Sequence, residues 1–94
     1  KRSEQLVSIL KRGLANHADL KDVRNLGLLI GIEMKCNYQA FVIHALQRGL
    51  LLNVTAEKVI RLLPPLILNK QQTEDMAQQI IDCVHSFEPT KTSN

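Results

Sequence analysis

The sequence contains very few aromatic residues: no tryptophan, one tyrosine and two phenylalanines among 94 residues. Modules that bind nucleic acids usually combine stacking aromatic side chains with a concentrated basic surface. Here the net charge of +3 is scattered, and basic residues often have acidic neighbours, as in Lys21-Asp22 and Glu57-Lys58. We therefore expect a solvated surface of mixed charge and no nucleic-acid partner.

Cysteine and histidine are also scarce and widely separated. Cys36 and Cys83 have no histidine or cysteine at ligand spacing, and no two of His17, His44 and His85 share one helical face. Metal ligands and catalytic nucleophiles need partner side chains at defined spacings. The sequence therefore predicts reduced, packed thiols, no metal site and a cytoplasmic location.

Long hydrophobic runs are absent as well. The longest, at positions 27–32 and 62–68, are far shorter than the ~18 apolar residues that span a bilayer, so we expect no membrane segment. A chain of 94 residues can bury one compact core but cannot hold a second domain. We expect one domain over 1–88 and a flexible tail over 89–94. Because a helical apolar stripe already runs near Lys1, we also expect further sequence upstream.

Hydrophobic periodicity and turn residues predict seven elements. Helices are expected over 2–15, 38–49 and 69–87, with a capping box at Asn69 and Gln72. A short extended segment at 23–25 precedes a central strand over 28–34, and a hairpin over 50–54 and 59–63 follows the second helix. The order α-β-β-α-β-β-α predicts an α+β fold in which helices cover one face of a small, three- to four-stranded, mostly antiparallel sheet.

Two residues inside the predicted strands are unusual for their positions. Gly31 leaves the middle of the central strand without a side chain, which often allows another group to approach closely. Arg61 interrupts an apolar strand just before a double proline. A guanidinium there either reaches solvent from an edge strand or acts as a carboxylate receptor, because its planar fork can donate two parallel hydrogen bonds. Arg24 and Glu33 are interpreted as polar residues at a strand end or interface.

Three segments carry a family resemblance: DVRNLGLLIGIEM at 22–34, RGLLLNV at 48–54 and VIRLLPPL at 59–66. In order and spacing they resemble the C-terminal small domain of the class III aminotransferases, which depend on pyridoxal phosphate (PLP), and most of all the acetylornithine aminotransferases. The resemblance covers nearly the whole chain. Asn25 and Glu57 depart from it, since each stands where the family commonly has glycine.

This resemblance implies the small domain of a fold-type I PLP enzyme and places Arg61 as the residue that binds the substrate α-carboxylate. The catalytic lysine and the other cofactor-binding residues belong to the family's large domain. We therefore expect a C-terminal fragment that binds no cofactor and is inactive alone. The parent would be a homodimeric transaminase of arginine biosynthesis that acts on amino-acid and keto-acid substrates with PLP.

The order of the elements alone also allows a different class of protein. The elements from residue 28 to residue 87 also follow the β-α-β-β-α order of a ferredoxin-like unit, which would make the chain a standalone amino-acid-binding regulatory module. That alternative needs a further strand after residue 87.

Overall fold

The computed structural model describes residues 2–27, 29–50, 52–64 and 69–88. Within these residues the chain forms seven elements: α1 (Arg2–Leu14), β1 (Leu20–Leu26), β2 (Leu29–Met34), α2 (Phe41–Leu46), β3 (Asn53–Thr55), β4 (Val59–Leu62) and α3 (Lys70–Ser86). Their order is the predicted one and the α+β class is confirmed. The tail expected over 89–94 lies outside the described residues.

The strands form one sheet of order β1-β2-β4-β3, and every neighbouring pair is antiparallel. β1 and β2 form a hairpin that turns near Gly27, whose φ of 67° lies in the left-handed region that glycine favours. β3 and β4 form a second hairpin, with Ala56 and Glu57 at φ values of 52° and 65°. The central pairing of β2 with β4 joins the two hairpins into one sheet.

The pairing of β2, β3 and β4 also explains the ferredoxin-like alternative. β4 lies between β2 and β3, which is the arrangement of a split β-α-β unit. A ferredoxin-like domain would fill the edge beside β2 with a strand that follows the last helix. In the described part of this chain, β1 occupies that edge, and it precedes β2 in the sequence instead of following the last helix.

The largest differences from the predicted bounds are in β1, α2 and β3. β1 begins at Leu20 rather than at residue 23, because it pairs along the whole of β2. α2 begins at Phe41 rather than at residue 38, because a turn precedes it in which the Phe41 N–H donates to the Tyr38 carbonyl over 2.9 Å. The Tyr38 N–H donates to the Glu57 carbonyl over 2.7 Å, which fixes the connection before α2 against the β3–β4 turn. β3 begins at Asn53 rather than at residue 50.

The ends of α2 and α3 follow the predicted chemistry. Gly49 takes a φ of 83°, and the Leu50 N–H donates to the Ala45 carbonyl over 2.9 Å, as in a Schellman motif. At the start of α3, Asn69 and Gln72 form the expected capping box with hydrogen bonds of 2.7 and 3.0 Å. Both helices are therefore terminated by local hydrogen bonds.

One cluster of buried side chains fills the space between the sheet and the helices. The strands contribute Val23, Ile30, Ile32, Met34, Val54, Ile60 and Leu62. The helices contribute Leu6, Val7, Leu10, Leu14, Phe41, Ala45, Ala77, Ile80, Ile81, Cys83 and Val84. Because these strand residues alternate along their strands, the cluster covers only one face of the sheet.

Gly13 allows α1 and α3 to approach each other closely above this cluster. A Cβ atom at Gly13 would lie 2.8 Å from Cγ1 of Ile81 and would overlap the end of the same side chain. Beside this contact, Nε2 of His85 lies 3.1 Å from the Gly13 carbonyl oxygen, and the His85 ring centroid lies 5.3 Å from that of His17 with the rings tilted by 40°. Close contacts therefore join α1 and the segment after it to α3.

Candidate functional site

Arg61 lies in the middle of β4 and on the helix-free face of the sheet, against which none of the described helices packs. Its neighbours Ile60 and Leu62 are buried in the core, whereas Arg61 is exposed. The predicted edge position is wrong, because β4 is paired on both sides, with β2 and with β3, but Arg61 does reach solvent. A central strand held by two ladders is a rigid support for a guanidinium group.

The register places three residues in one row with Arg61 across the sheet. Arg61 pairs with Gly31 of β2 and with Asn53 of β3, and Gly31 in turn pairs with Arg24 of β1. Directly paired residues point to the same face of a sheet, so Arg24, Arg61 and Asn53 share the helix-free face. Gly31, which has no side chain and is buried, lies between the two arginines.

The Arg61 guanidinium makes no hydrogen bond or ion pair among the described residues. Asn53, beside it, accepts a hydrogen bond from the Val54 N–H through its side-chain oxygen over 2.9 Å, which leaves the amide nitrogen available as a donor. The centre of the helix-free face therefore presents hydrogen-bond donors and positive charge. A planar carboxylate is the natural complement of such a surface.

Arg24, in contrast, is paired with two carboxylates. Its Nη1 atom lies 2.8 Å from the Glu33 carboxylate and 3.2 Å from that of Asp22, and the Lys21 ammonium lies 3.6 Å from Glu33. The hydrogen bond from Arg24 lowers the pKa of Glu33 below its ordinary value, and Glu33 and Asp22 raise that of Arg24. These residues form a charged cluster on β1 and β2 that was not predicted from the sequence.

The alternation of β1 and β2 about Gly27 could have indicated this cluster. In a two-stranded hairpin, residues spaced by two on each strand share a face. Once the register is known, this condition is met by Asp22 and Arg24 on β1 and by Glu33 on β2. Arg24 and Glu33 are polar residues of the same sheet face, and their interpretation as strand-end or interface residues stays a prediction.

The remaining candidate side chains have structural partners. His44 contacts the Ser86 hydroxyl over 3.0 Å, and burial together with the Arg48 charge lowers the His44 pKa from its ordinary value of 6.5. Burial raises the pKa of the Cys83 thiol, and burial followed by the charge of Asp19 raises that of Tyr38. Buried, protonated groups of this kind support packing rather than catalysis.

Neither a metal centre nor a membrane-spanning helix is found among the residues that the structure describes. A shallow groove of about 470 Å³ lies between α1 and the end of β1 and is lined by Glu4, Val7, Ser8, Lys11, Arg12 and Asn25. Asn25 pairs with Ile30 and so lies on the helical side of the sheet, opposite to Arg61. The groove is therefore separate from the arginine row.

The chain belongs to the class-III aminotransferases, whose family model matches residues 1–84. Ornithine aminotransferase 1 of Staphylococcus aureus is 37% identical over 83 residues, which are 86% of this chain and 21% of that protein. Acetylornithine aminotransferase 1 of Bordetella pertussis is 35% identical over 82 residues, which are 87% of this chain and 21% of that protein. The resemblance inferred from the three sequence segments is thereby confirmed.

Solved structures of ornithine and acetylornithine aminotransferases share this fold. The ornithine aminotransferase of Plasmodium yoelii superposes with a TM-score of 0.83 at 32% identity and covers 94% of this chain, which spans 24% of that protein. The acetylornithine aminotransferase of Elizabethkingia anophelis has the same fold, with a TM-score of 0.80 over 93% of this chain and 24% of its own. The chain thus spans about a fifth to a quarter of the length of these relatives.

Proposed function

We propose that this chain supplies the substrate-carboxylate site of a PLP-dependent aminotransferase that resembles the acetylornithine aminotransferases and acts in arginine biosynthesis. In this proposal Arg61 binds the α-carboxylate of amino-acid and keto-acid substrates. The observation that carries the proposal is an exposed arginine on a central strand, without a hydrogen-bond or ion-pair partner among the described residues. The complete enzyme is proposed to be a cytoplasmic homodimer.

The position of Arg61 suits orientation as well as attraction. Two parallel hydrogen bonds from one guanidinium fix the plane of a carboxylate, whereas a lysine would act as a point charge. Gly31 adds no side chain on one side of Arg61, and the amide of Asn53 offers a further donor on the other. Holding the carboxylate in one orientation keeps the reacting bond of the substrate in a fixed position, which lowers the entropic part of the barrier.

We infer that PLP is held by residues outside this chain. An imine-forming lysine reacts from a desolvated pocket, whereas Lys11, Lys21, Lys35, Lys58 and Lys70 are all exposed and so do not fit that role. When bound, PLP supplies the electron sink that makes amino-group transfer possible. The contribution of this chain is to bind and orient the substrate.

The inactivity of the chain alone can be tested directly. Incubation with PLP followed by borohydride is expected to label several exposed lysines weakly, with no amino-group transfer between amino and keto acids. Mass spectrometry of the peptides provides the measurement. A stoichiometric adduct at one lysine, together with transaminase activity, would contradict the inference that the cofactor site lies elsewhere.

The role of Arg61 is tested by Arg61→Lys and Arg61→Ala in the complete enzyme. Loss of the bidentate contact should lower kcat/KM by roughly ten- to a hundredfold, which corresponds to about 1.5–3 kcal/mol for a charge-assisted hydrogen bond. Arg12→Lys, an exposed arginine on α1, is the matched control and should behave as the wild type. Unchanged kinetics in both Arg61 variants, or losses that only follow a lower thermal midpoint, would refute the proposal.

A further inference from the structure

Glu33 lies between two arginines and binds only one of them. On the helix-free face Glu33 pairs directly with Asp22 on β1 and with Val59 on β4, and Gly31 pairs with Arg24 and Arg61. Glu33 is therefore the diagonal neighbour of Arg24 on one side and of Arg61 on the other.

Diagonal neighbours on one sheet face lie about 7–8 Å apart at Cα, within reach of long side chains. The Glu33 carboxylate could thus reach either guanidinium. It lies 2.8 Å from Arg24, and no contact with Arg61 is formed.

The surroundings of Glu33 favour the contact with Arg24. Asp22 and Glu33 are two like charges directly opposite each other, an arrangement that is unfavourable in a sheet unless a cation lies between them. Arg24 is that cation, since the same nitrogen atom contacts both carboxylates. Lys21 adds a second positive charge at 3.6 Å from Glu33. Without Arg24, the longer contact with Lys21 would be the remaining ion pair of Glu33 among the described residues, and repulsion from Asp22 would favour movement of Glu33 away from β1 and towards β4.

We propose that Arg24 is a positioning residue that holds the Glu33 carboxylate on the β1 side of the sheet and so keeps the Arg61 guanidinium accessible to the substrate carboxylate. This inference rests on the proposed role of Arg61. Glu33 has the same functional group as the substrate and is attached to the neighbouring strand. It would therefore compete as an intramolecular ligand at high effective concentration once released.

Release of Glu33 has a specific kinetic signature. A competing internal carboxylate weakens the binding of the substrate, but a saturating substrate displaces it. KM should therefore rise while kcat stays near the wild-type value. An exposed ion pair of the strength usual for proteins corresponds to a rise in KM of about two- to fivefold. A structural defect at the sheet would instead lower kcat and the thermal midpoint together.

The experiment is a double-mutant cycle in the complete enzyme with Arg24→Met, Glu33→Gln and the double variant. Arg24→Met keeps the aliphatic stem and should raise KM for the keto-acid substrate about two- to fivefold. Glu33→Gln alone should cause no rise, and in the double variant it should restore KM to the wild-type value. Arg12→Met, on the other side of the sheet, controls for the loss of one positive charge. If Arg24→Met does not fold, Arg24→Gln replaces it in the same cycle.

The outcomes separate this inference from the function on which it rests. If Arg61→Lys lowers kcat/KM but Arg24→Met leaves KM unchanged, Arg24 is not a positioning residue and the inference fails alone. A rise in KM that persists in the double variant would also overturn it, because Glu33 would then not be the competitor. If Arg61→Lys itself has no effect, the proposed function fails and the inference fails with it.

Discussion

The two faces of the sheet are built from alternate residues of the same strands but differ completely in chemistry. On the covered face, Ile32 and Ile60 are fully buried against the helices. On the helix-free face, their sequence neighbours Glu33 and Arg61 carry charge. One strand can thus support the core and a charged surface with adjacent residues, because side chains alternate between the faces. Stability and binding should therefore respond to different substitutions.

The largest expected difference is in the stability lost when Ile60 or its neighbour Arg61 is replaced by alanine. Ile60→Ala removes a fully buried side chain and should lower the free energy of unfolding by about 2–5 kcal/mol. Arg61→Ala removes an exposed side chain and should change it by no more than about 0.5 kcal/mol. Urea denaturation of both variants provides the measurement. Similar losses in the two variants would show that the faces are not energetically independent.

A second substitution tests the helical layer above the covered face. Gly13→Leu places a side chain against Ile81, where even a Cβ atom has no room, and should lower the free energy of unfolding by about 1–3 kcal/mol. Lys11→Leu introduces the same side chain at an exposed position of α1 and should change stability by no more than about 0.5 kcal/mol. Thermal unfolding compares the two. If both variants matched the wild type, α1 and α3 would not be in close contact.

A smaller effect is expected at the start of α3. Asn69→Ala removes the side-chain acceptor for the Gln72 N–H and should lower the free energy of unfolding by about 1 kcal/mol. Lys70→Ala, the next residue, keeps the capping box and serves as the control. Equal thermal midpoints for Asn69→Ala and the control would show that the capping box does not stabilise the helix that covers the sheet.

The smallest expected effects are on the pH dependence of the thermal midpoint, for one group in the helical layer, His44, and one on the helix-free face, Glu33. The pKa of His44 is lowered in the folded protein. The stability that neutral His44 contributes is therefore complete above the ordinary pKa of 6.5 and is lost as pH falls below it. The pKa of Glu33 is also lowered in the folded protein. The stability that the Glu33 carboxylate contributes is therefore complete above the ordinary pKa of 4.5 and is lost only as pH falls below that value. His44→Gln should flatten the decline of the thermal midpoint below about pH 6.5, and Glu33→Gln the decline below about pH 4.5. Identical profiles for both variants and the wild type would contradict these assignments.

Local signals allowed much of the fold to be predicted from the sequence. The capping box at Asn69 and the terminating Gly49 depend on residues close in sequence, and both were found as predicted. β4 is central because it pairs with β2, from which α2 and β3 separate it in the sequence. No local sequence pattern indicates this pairing. The same non-local register aligns Arg24 and Arg61 on either side of Gly31. The candidate residue was therefore visible in the sequence, whereas its surroundings were not.

The strand order also has a consequence for the folding pathway. The β1–β2 and β3–β4 hairpins close short loops and should form early, whereas β2 and β4 meet only after a longer loop has closed. Arg24 and Glu33 belong to the first hairpin, and Arg61 belongs to the second. We therefore expect Glu33 to be bound by Arg24 in the nascent chain before Arg61 arrives. The sequence of folding events would then establish the same division of charges that the finished sheet maintains.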